Sequence, residues 1–429
     1  MPSIMVDAYN LSLEKGTGVA TYGHNLCHAA KQLGYQVGVL YGGRSTRSRN
    51  TLLSEVAFFD ATVARRPSIA DMPRMLGNAM VSHYGCRVDE VPISGRVIYD
   101  SLKARLPQFD RLWNSSELYK RAHRSFRWFG RFARVDLPGT DIAHWTYPLP
   151  IRACGTRNVY TLHDLVPLRL PHTTLDHKRR YYRMCKELVD TADHIITVSE
   201  TSRQDIVNLL DADPAKVTNT FQAVSLPTGA LECSDEQVEE ELRGLFNLPF
   251  KGYFLFFGAV EPKKNLNRLL EAYLASGIQT PLVLVGAPGW KSEDELRLLK
   301  TLASLPGKVR ERVLRLEYLP RQLLISVIRG AKATVFPSLY EGFGLPVLES
   351  MLCRTAVITS RVGSLIEVAG DAASYVDPYD ARSIGDAMKL LESDDALRES
   401  LEQRGLIQAE LFSPERYAQR VAAVYRSLL

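Results

Sequence analysis

Ala333-Thr-Val-Phe-Pro-Ser-Leu-Tyr-Glu-Gly-Phe-Gly-Leu-Pro-Val-Leu-Glu-Ser-Met351 is the stretch whose reading decides the fold. Ala333 to Phe336 is a short apolar strand, stopped by Pro337 and Ser338. A loop rich in Gly and aromatics follows from Tyr340 to Gly344, and a helix opens near Leu345. Pro346 suits its first turn, where Pro costs no helical hydrogen bond. A strand feeding a glycine loop and a helix N-terminus is an anion site, because N–H groups and the positive dipole end face one point. Glu341 lies in the loop and Glu349 in about the first turn of the helix. N–H donors for phosphate beside carboxylates for sugar hydroxyls suit a nucleotide-sugar. The plain alternative is an ordinary strand–loop–helix with both carboxylates in solvent.

The run Pro337-Ser338-x-x-Glu341-Gly342-Phe343-Gly344-Leu345-Pro346-x-x-Glu349 resembles the E-x7-E signature of the retaining glycosyltransferases of family 4, which have the GT-B fold. The match spans the whole strand–loop–helix unit. The resemblance implies that N–H groups of Gly342, Phe343, Gly344 and Leu345 touch phosphate or sugar, with Ser338 beside them. It also implies that Glu341 contacts sugar hydroxyls near the reacting carbon and that Glu349 binds ribose hydroxyls.

At 429 residues, two domains are expected. The hydrophobic share of 45% and charged share of 24% are those of a water-soluble globular protein. No apolar run is long enough to span a bilayer. Met1 to Asp7 runs straight into a strand, so no signal peptide is expected. The six cysteines are scattered without a C-x-x-C pair, which argues against structural zinc or disulfides and for a reducing compartment. A formal charge of +5 permits anionic partners without demanding nucleic acid, and none is expected.

Ile4 to Ala8 reads as the first strand, Val19 to Leu33 as a helix with Leu26, Ala29, Ala30 and Leu33 at helical spacing, and Gln36 to Tyr41 as the second strand. This opening indicates a doubly wound α/β domain. Gly16 and Gly18 between strand and helix resemble the glycine loop that family members place beneath the donor phosphates and near the acceptor. A tight turn needing small residues explains them equally well. Gly42 to Arg49 reads as a basic loop, and Glu55–Phe59 and Arg96–Tyr99 as short strands. By analogy with the family, this half recognises the acceptor.

Ser116 to Arg134 reads as one helix. Leu118, Ala122, Phe126, Phe129, Phe132 and Ala133 gather on one side, and Lys120, Arg124, Arg127, Arg131 and Arg134 on the other. Two readings stay open: an interfacial membrane helix, or a helix covering the core with its cations in water.

Asp141–Thr146 and Asn158–Leu162 are further strands, and the second ends in His163-Asp164. Thr161-x-His163-Asp164-x-x-Pro167 resembles the family motif whose His lies against the donor sugar. His163 could there donate to a sugar hydroxyl or steady positive charge through its backbone carbonyl; capping a strand end is the plain alternative. A helix over Thr174–Thr191, a strand over His194–Val198, a helix over Glu200–Leu210 capped by Ser199 and a strand over Val217–Phe221 complete the first domain. Residues 226–250 read as a linker carrying an acidic helix, Asp235–Leu245.

Tyr253–Phe257 opens the second domain, followed by Lys263-Lys264-Asn265 and a helix over Leu266–Ala275. Cations between a strand end and a helix are well placed for a diphosphate, on which charge grows as the sugar leaves. The stretch resembles a family variant with Arg-Lys-Asn, although many relatives carry Arg where this chain has Ala259. Most weight therefore falls on Lys264, with Lys263 in the Arg position. Tyr318-Leu319 follows another strand, where relatives hold the nucleobase largely through backbone. A helix around Glu367, two more between Ala381 and Leu411, and a last helix capped by Ser413 with Pro414 at its first position end the chain.

The expected architecture is α/β and GT-B: two doubly wound, Rossmann-like domains facing a central cleft. Residues 1–225 form the acceptor side, with helix 413–429 crossing back to it, and residues 251–412 form the donor side. The expected reaction moves a hexose from a nucleotide-sugar to an acceptor hydroxyl. Retention, by front-face attack in which the leaving phosphate oxygen takes the acceptor proton, is implied by the resemblance. Glu341, His163 and Lys264 would act at the reacting centre. GDP-mannose is the first donor, because Glu261-Pro-Lys-Lys-Asn265 and His163-Asp164-Leu-Val-Pro167 resemble surface-polysaccharide mannosyltransferases; a UDP-hexose or deoxy-sugar donor stays open. The acceptor is a lipid-linked or polysaccharide glycan, and the location is the cytoplasm, with 116–134 as a peripheral contact on the inner face of the membrane. No metal or cofactor is expected, and Asp211-Ala-Asp213 reads as a cap or turn. Three alternatives are an epimerase or phosphorylase on the same fold, a non-catalytic partner in polysaccharide assembly, and a dinucleotide oxidoreductase. Intact Glu341, Glu349, Lys264 and His163 argue against the second. The third lacks the last glycine of G-x-G-x-x-G after the first strand.

Overall fold

The computed structural model describes all residues except 13–17, 45–49, 61–71, 100–105, 225, 228, 230 and 305–311. Gly16 and most of the basic loop after Gly43 lie outside the described residues.

The first domain holds β1 (Ser3–Asp7), β2 (Gln36–Tyr41), β3 (Asp89–Glu90), β4 (Arg111–Asn114), β5 (Ala133–Asp136), β6 (Ile142–Trp145), β7 (Ile151–Cys154), β8 (Arg157–Thr161), β9 (His194–Thr197) and β10 (Val217–Asn219). Its main sheet runs β10-β9-β8-β6-β1-β2-β4-β3, and β5 and β7 form a separate pair. All these neighbours are parallel except β3 with β4. The second domain holds β11 (Phe254–Phe257), β12 (Leu282–Val285), β13 (Val313–Leu316), β14 (Ala333–Phe336), β15 (Ala356–Ser360) and β16 (Ala373–Val376). They form a fully parallel sheet in the order β13-β12-β11-β14-β15-β16. β1, β11, β14 and β15 are buried at every position, as continuous apolar strands covered by helices on both faces must be.

Strand order reverses between β1 and β6 in the first sheet and between β11 and β14 in the second. A crevice opens beyond the carboxyl ends of strands at such a switch point. The lysine turn follows β11 and the Glu341 loop follows β14, so topology alone brings them to one crevice.

The last helix, Pro414–Leu428, starts on Ser413, whose side chain accepts from the Arg416 N–H. Its Tyr425 hydroxyl lies 2.6 Å from Nδ1 of His144 on β6, and Tyr417 packs edge-on to Tyr22. The acidic helix Asp235–Phe246 has a full capping box at Ser234 and Gln237. Leu242 packs over Gly330, and Asp235 pairs with Arg329 at 2.7 Å, so this helix rests on the second domain.

Three sequence readings change. Glu55–Phe59 is the end of a helix, Thr51–Phe59, not a strand. A short apolar run does not distinguish the two, and Asn50 decides by accepting the Leu52 and Leu53 N–H groups. Arg96–Tyr99 is irregular; nearby, Ser94 bonds the Glu55 carboxylate through its N–H and its hydroxyl. The cationic helix spans only Leu118–Phe129, because Gly130 adopts φ 65 and ends it with its N–H on the Phe126 carbonyl. Arg131 and Phe132 lie beyond it, and Ala133 and Arg134 belong to β5. Leu118, Tyr119, Ala122 and Phe126 are buried in the first domain's core, while Lys120 and Arg127 are exposed. Most of the apolar face thus covers the core, while the cations and Phe129 meet solvent. Asp211 ends a helix at φ 50 and Asp213 caps the short turn after it, as the cap reading requires. No helix among the described residues is long and apolar enough to cross a membrane.

Burial holds the His144 imidazole down to about 3, so the folded state binds fewer protons than the unfolded chain below about pH 6.5. The stability from this neutral ring, present above about pH 6.5, is lost as pH falls toward 3. Burial pushes the Asp7 carboxyl up to about 6, which acts oppositely and offsets part of that loss between about pH 4 and 6. Thermal melts across pH 4–7 should therefore show a shallower acid loss for His144→Gln and a steeper one for Asp7→Asn, each by about one proton. Unaltered slopes would contradict both assignments.

Candidate active site

The turn after β11 and the loop after β14 are stapled together by backbone. The Leu339 N–H donates to the Lys263 carbonyl at 2.8 Å. Asn265 sits at φ 61, a left-handed conformation that Asn tolerates. Its amide donates to the Pro337 carbonyl at 2.9 Å and the Pro378 carbonyl at 2.7 Å. Lys263 and Lys264, on the short turn Pro262–Lys264, are thereby aimed at Glu341.

Glu341 is 7% exposed. Its Oε1 accepts from Lys264 Nζ at 2.5 Å and from Ser338 Oγ at 2.9 Å, and its Oε2 lies 3.5 Å from Lys263 Nζ. Burial raises the carboxyl, but the Lys264 and Lys263 charges outweigh it and hold the group at about 2. Burial also disfavours the Lys263 ammonium, yet Glu341, Asp164 and Glu261 push it above its ordinary value. Both are therefore ionised at neutral pH. Glu261, buried beside them, is raised by burial against the pull of both lysines.

Gly342 brings this loop beneath the end of β8. A Cβ there would stand 2.8 Å from Asp164 Oδ2 and 3.0 Å from the His163 carbonyl oxygen. Gly344 precedes the helix Leu345–Leu352 at φ 112, where a side chain would be strained. Gly18, at the start of the helix Gly18–Gln32, faces Leu345 across the seam, 2.9 Å from a built Cβ to Leu345 Cδ1.

His163 lies edge-on to Tyr22, with centroids 4.8 Å apart. Burial lowers its pKa, so the ring is neutral. Nε2 lies 2.9 Å from the Thr146 carbonyl, which can only accept, so Nε2 carries the proton and Nδ1 is an acceptor. The donation to a sugar hydroxyl expected from the sequence is thus reversed: a hydroxyl would donate to Nδ1. The His163 carbonyl already accepts from Ser202 Oγ at 3.0 Å.

Glu349 is the fifth residue of its helix, just past the first turn. Burial raises its carboxyl, opposed by the Arg321 guanidinium 3.3 Å away. Tyr318, 75% exposed, and Leu319, half-buried, follow β13 at the sheet edge. Glu341, Ser338, Gly342, Lys263, Lys264 and His163 therefore converge, Glu349 lies farther along the helix of the same strand–loop–helix unit as Glu341, and Tyr318 and Leu319 follow a neighbouring strand. Sequence reasoning passed over Asn265 as a hinge, although Asn after a short turn is a left-handed signal. It also missed Arg321 and Ser202 as partners, which come from other units and leave no local trace, and it gave no role to Asp164 although the quoted His163-Asp164 motif contains it. Among the described residues, no group of three or more His, Cys, Asp or Glu is arranged to hold a metal ion.

Two parallel sheets whose switch points meet at a lysine–carboxylate cluster define a glycosyltransferase of the GT-B fold. Residues 240–407 match the family described as "Glycosyl transferases group 1", and residues 16–219 match "Glycosyltransferase Family 4". The chain is 35% identical over 280 residues to O-antigen chain mannosyltransferase B of Escherichia coli, covering 63% of this chain and 71% of that one. It is 30% identical over 273 residues to the serotype-specific mannosyltransferase WbdA of Escherichia coli, covering 63% of this chain and 33% of that protein. Among solved structures, the sucrose-phosphate synthase of Thermosynechococcus elongatus is similar at TM-score 0.65 and 18% identity, over 100% of this chain and 99% of that one. Anabaena HepE in complex with UDP-glucose is similar at TM-score 0.66 and 13% identity, over 100% of both chains. The chain belongs to the group 1, family 4 glycosyltransferases.

Lys264→Ala leaves the buried Glu341 with Lys263 as its only cation. Breaking such a buried pair should cost about 3–5 kcal/mol in a urea melt. In a Glu341→Gln background the same substitution should cost less by at least about 1 kcal/mol. Equal costs in both backgrounds would mean that the pair contributes nothing to folding.

Proposed function

We propose that this enzyme transfers mannose from GDP-mannose to a hydroxyl of a growing cell-surface glycan, with retention of anomeric configuration and without a metal. The observation that carries this reading is the Lys263/Lys264–Glu341 cluster beside a helix N-terminus at the switch point. The similarity to O-antigen mannosyltransferases supports the choice of sugar.

The chemistry follows from the cluster. An arriving diphosphate offers the lysines a doubly charged partner in place of Glu341. As the lysines turn to phosphate, the carboxylate becomes free to accept from sugar hydroxyls. During transfer the bond from the anomeric carbon to phosphate oxygen breaks, and a bond to the acceptor oxygen forms on the same face. The acceptor proton passes to the departing phosphate oxygen, so no separate base is needed. Charge grows on the diphosphate, where two fixed ammoniums and the dipole of Leu345–Leu352 stabilise it more than they stabilise the ground state. Nδ1 of His163 would accept from a donor-sugar hydroxyl. Glu349, tethered to Arg321, would meet the ribose.

A lipid-linked acceptor would bring the first domain to the cytoplasmic face of a membrane. The outward cations of Leu118–Phe129, with Arg131 and Arg134 beyond it, suit an anionic surface, each contributing about 1 kcal/mol. Because Leu118, Tyr119, Ala122 and Phe126 of that helix are buried, the contact would be mainly electrostatic and sensitive to salt.

Melting of the wild-type protein should rise with GDP more than with UDP, ADP or dTDP, with no dependence on magnesium, since a ligand of the native state stabilises it by mass action. A rise with UDP alone would replace the donor, and a magnesium requirement would remove the metal-free mechanism. Lys264→Ala should lower turnover by about 10²–10³-fold; wild-type turnover would dismiss its role. Neutralising Lys120, Arg124, Arg127, Arg131 and Arg134 together should release the protein from anionic liposomes, and unchanged sedimentation would leave those residues as solvated surface.

A further inference from the structure

The domains meet along a seam of hydrogen bonds that runs beside the lysine–carboxylate cluster. Glu367 lies on the short helix Ser364–Ala369 of the second domain. Its Oε2 accepts the Glu200 N–H at 2.6 Å. Its Oε1 accepts the Thr201 N–H at 2.7 Å and the Thr201 hydroxyl at 2.6 Å. A carboxylate from one domain thus occupies the N-terminus of helix Glu200–Leu210 in the other, where free N–H groups and the helix dipole attract it.

Both partners of this grip also touch the reacting loop. Ser364, three residues before Glu367, donates its hydroxyl to the Glu341 carbonyl at 2.7 Å, and Leu365 packs against Gly344. Ser202, next to Thr201, directs its hydroxyl to the His163 carbonyl at 3.0 Å and lies 3.4 Å from the Gly342 carbonyl. Three residues farther on, Asp205 accepts from the Tyr340 hydroxyl at 2.6 Å and pairs with Arg169. Every residue from Tyr340 to Gly342 therefore bonds directly to this seam or to the helix that carries Glu367.

We propose that Glu367 is a positioning residue. By capping Glu200–Leu210 across the domain boundary, it holds the closed arrangement in which the Glu341 loop lies against His163. The inference rests on the transferase reading. Glu367 does not touch the lysines or the space between them and Glu341, so its loss should spare nucleotide binding to the second domain. Without it, the domains would close less fully and the loop would lose its register with the first domain. A misplacement of about 1 Å at a reacting centre costs about a hundredfold in rate.

The test uses the full chain with Glu367→Gln, which keeps the side chain's shape, and Glu367→Asp as the conservative variant. Glu367→Gln should lower kcat by about ten- to a hundredfold while GDP affinity stays within about twofold, and Glu367→Asp should recover part of the rate. Small-angle scattering should show a larger radius of gyration for Glu367→Gln than for wild type. A double-mutant cycle with Thr201→Val should show coupling across the boundary. Unchanged kcat, or a loss of GDP affinity equal to the loss of kcat, would overturn the proposal. If the wild-type chain transfers no sugar, the transferase reading fails by itself. The scattering comparison still decides on the latch, because an unchanged radius removes it.

Discussion

A carboxylate taken out of water between two ammonium groups governs this fold's chemistry. Desolvating each ion costs several kcal/mol, and mutual attraction offsets that cost only with close geometry and additional hydrogen bonds. Glu341 has both: Lys264 at 2.5 Å, Lys263 at 3.5 Å and the Ser338 hydroxyl at 2.9 Å. To hold three such groups, the chain must fix two loops against each other. The Asn265 amide, bridging the Pro337 and Pro378 carbonyls, does this from a left-handed position. The cluster is consequently rigid in its backbone and exchangeable in its charge. Its negative member belongs to the protein itself, and on the proposed reading the donor's phosphates would replace it.

Placement of the cluster follows from topology rather than from the residues themselves. β11 and β14 are adjacent although two strands separate them in sequence, so their following loops leave in opposite directions and part over a crevice. The first sheet repeats the device at β1 and β6, where Asp7 accepts the Thr146 N–H and Thr146 in turn accepts from His163. The tautomer of His163 is thereby set by a neighbouring strand. Two switch points facing each other give the donor cations on one side and a neutral acceptor nitrogen on the other.

Much of this was legible because the decisive stretch carries several local signals at once. The apolar run, the Pro337 stop, the glycines and the Pro after Leu345 locate β14 and the following helix at their observed bounds. Parallel strands buried on both faces stand out as unbroken apolar runs. Glu55–Phe59 was read wrongly because such a run is too short to show a period, and its deciding cap, Asn50, precedes it. The cationic repeat carried the helix reading through Gly130 to Arg134, although glycine is the usual stop. Side-chain pairings between distant units, such as Glu349 with Arg321 or Glu367 with Thr201, have no local signature at all.

The closed seam and the buried cluster place opposite demands on one loop. Gly342 lies against Asp164 and His163, and the Lys264 side chain is only 12% exposed, so on the proposed reading a diphosphate would reach the lysines when the domains part. Parting breaks the Glu367 bonds to Glu200 and Thr201 and the Tyr340–Asp205 bond. All four end on a carboxylate, and a hydrogen bond to a charged group contributes about 1.5–3 kcal/mol net. A much stronger seam would exclude the donor, and a much weaker one would leave Glu341 and His163 unaligned once it had bound. Water can satisfy each of these donors and acceptors whenever the cleft opens, so the hydrogen-bonded part of the boundary parts more readily than the Phe221–Phe343 contact beside it.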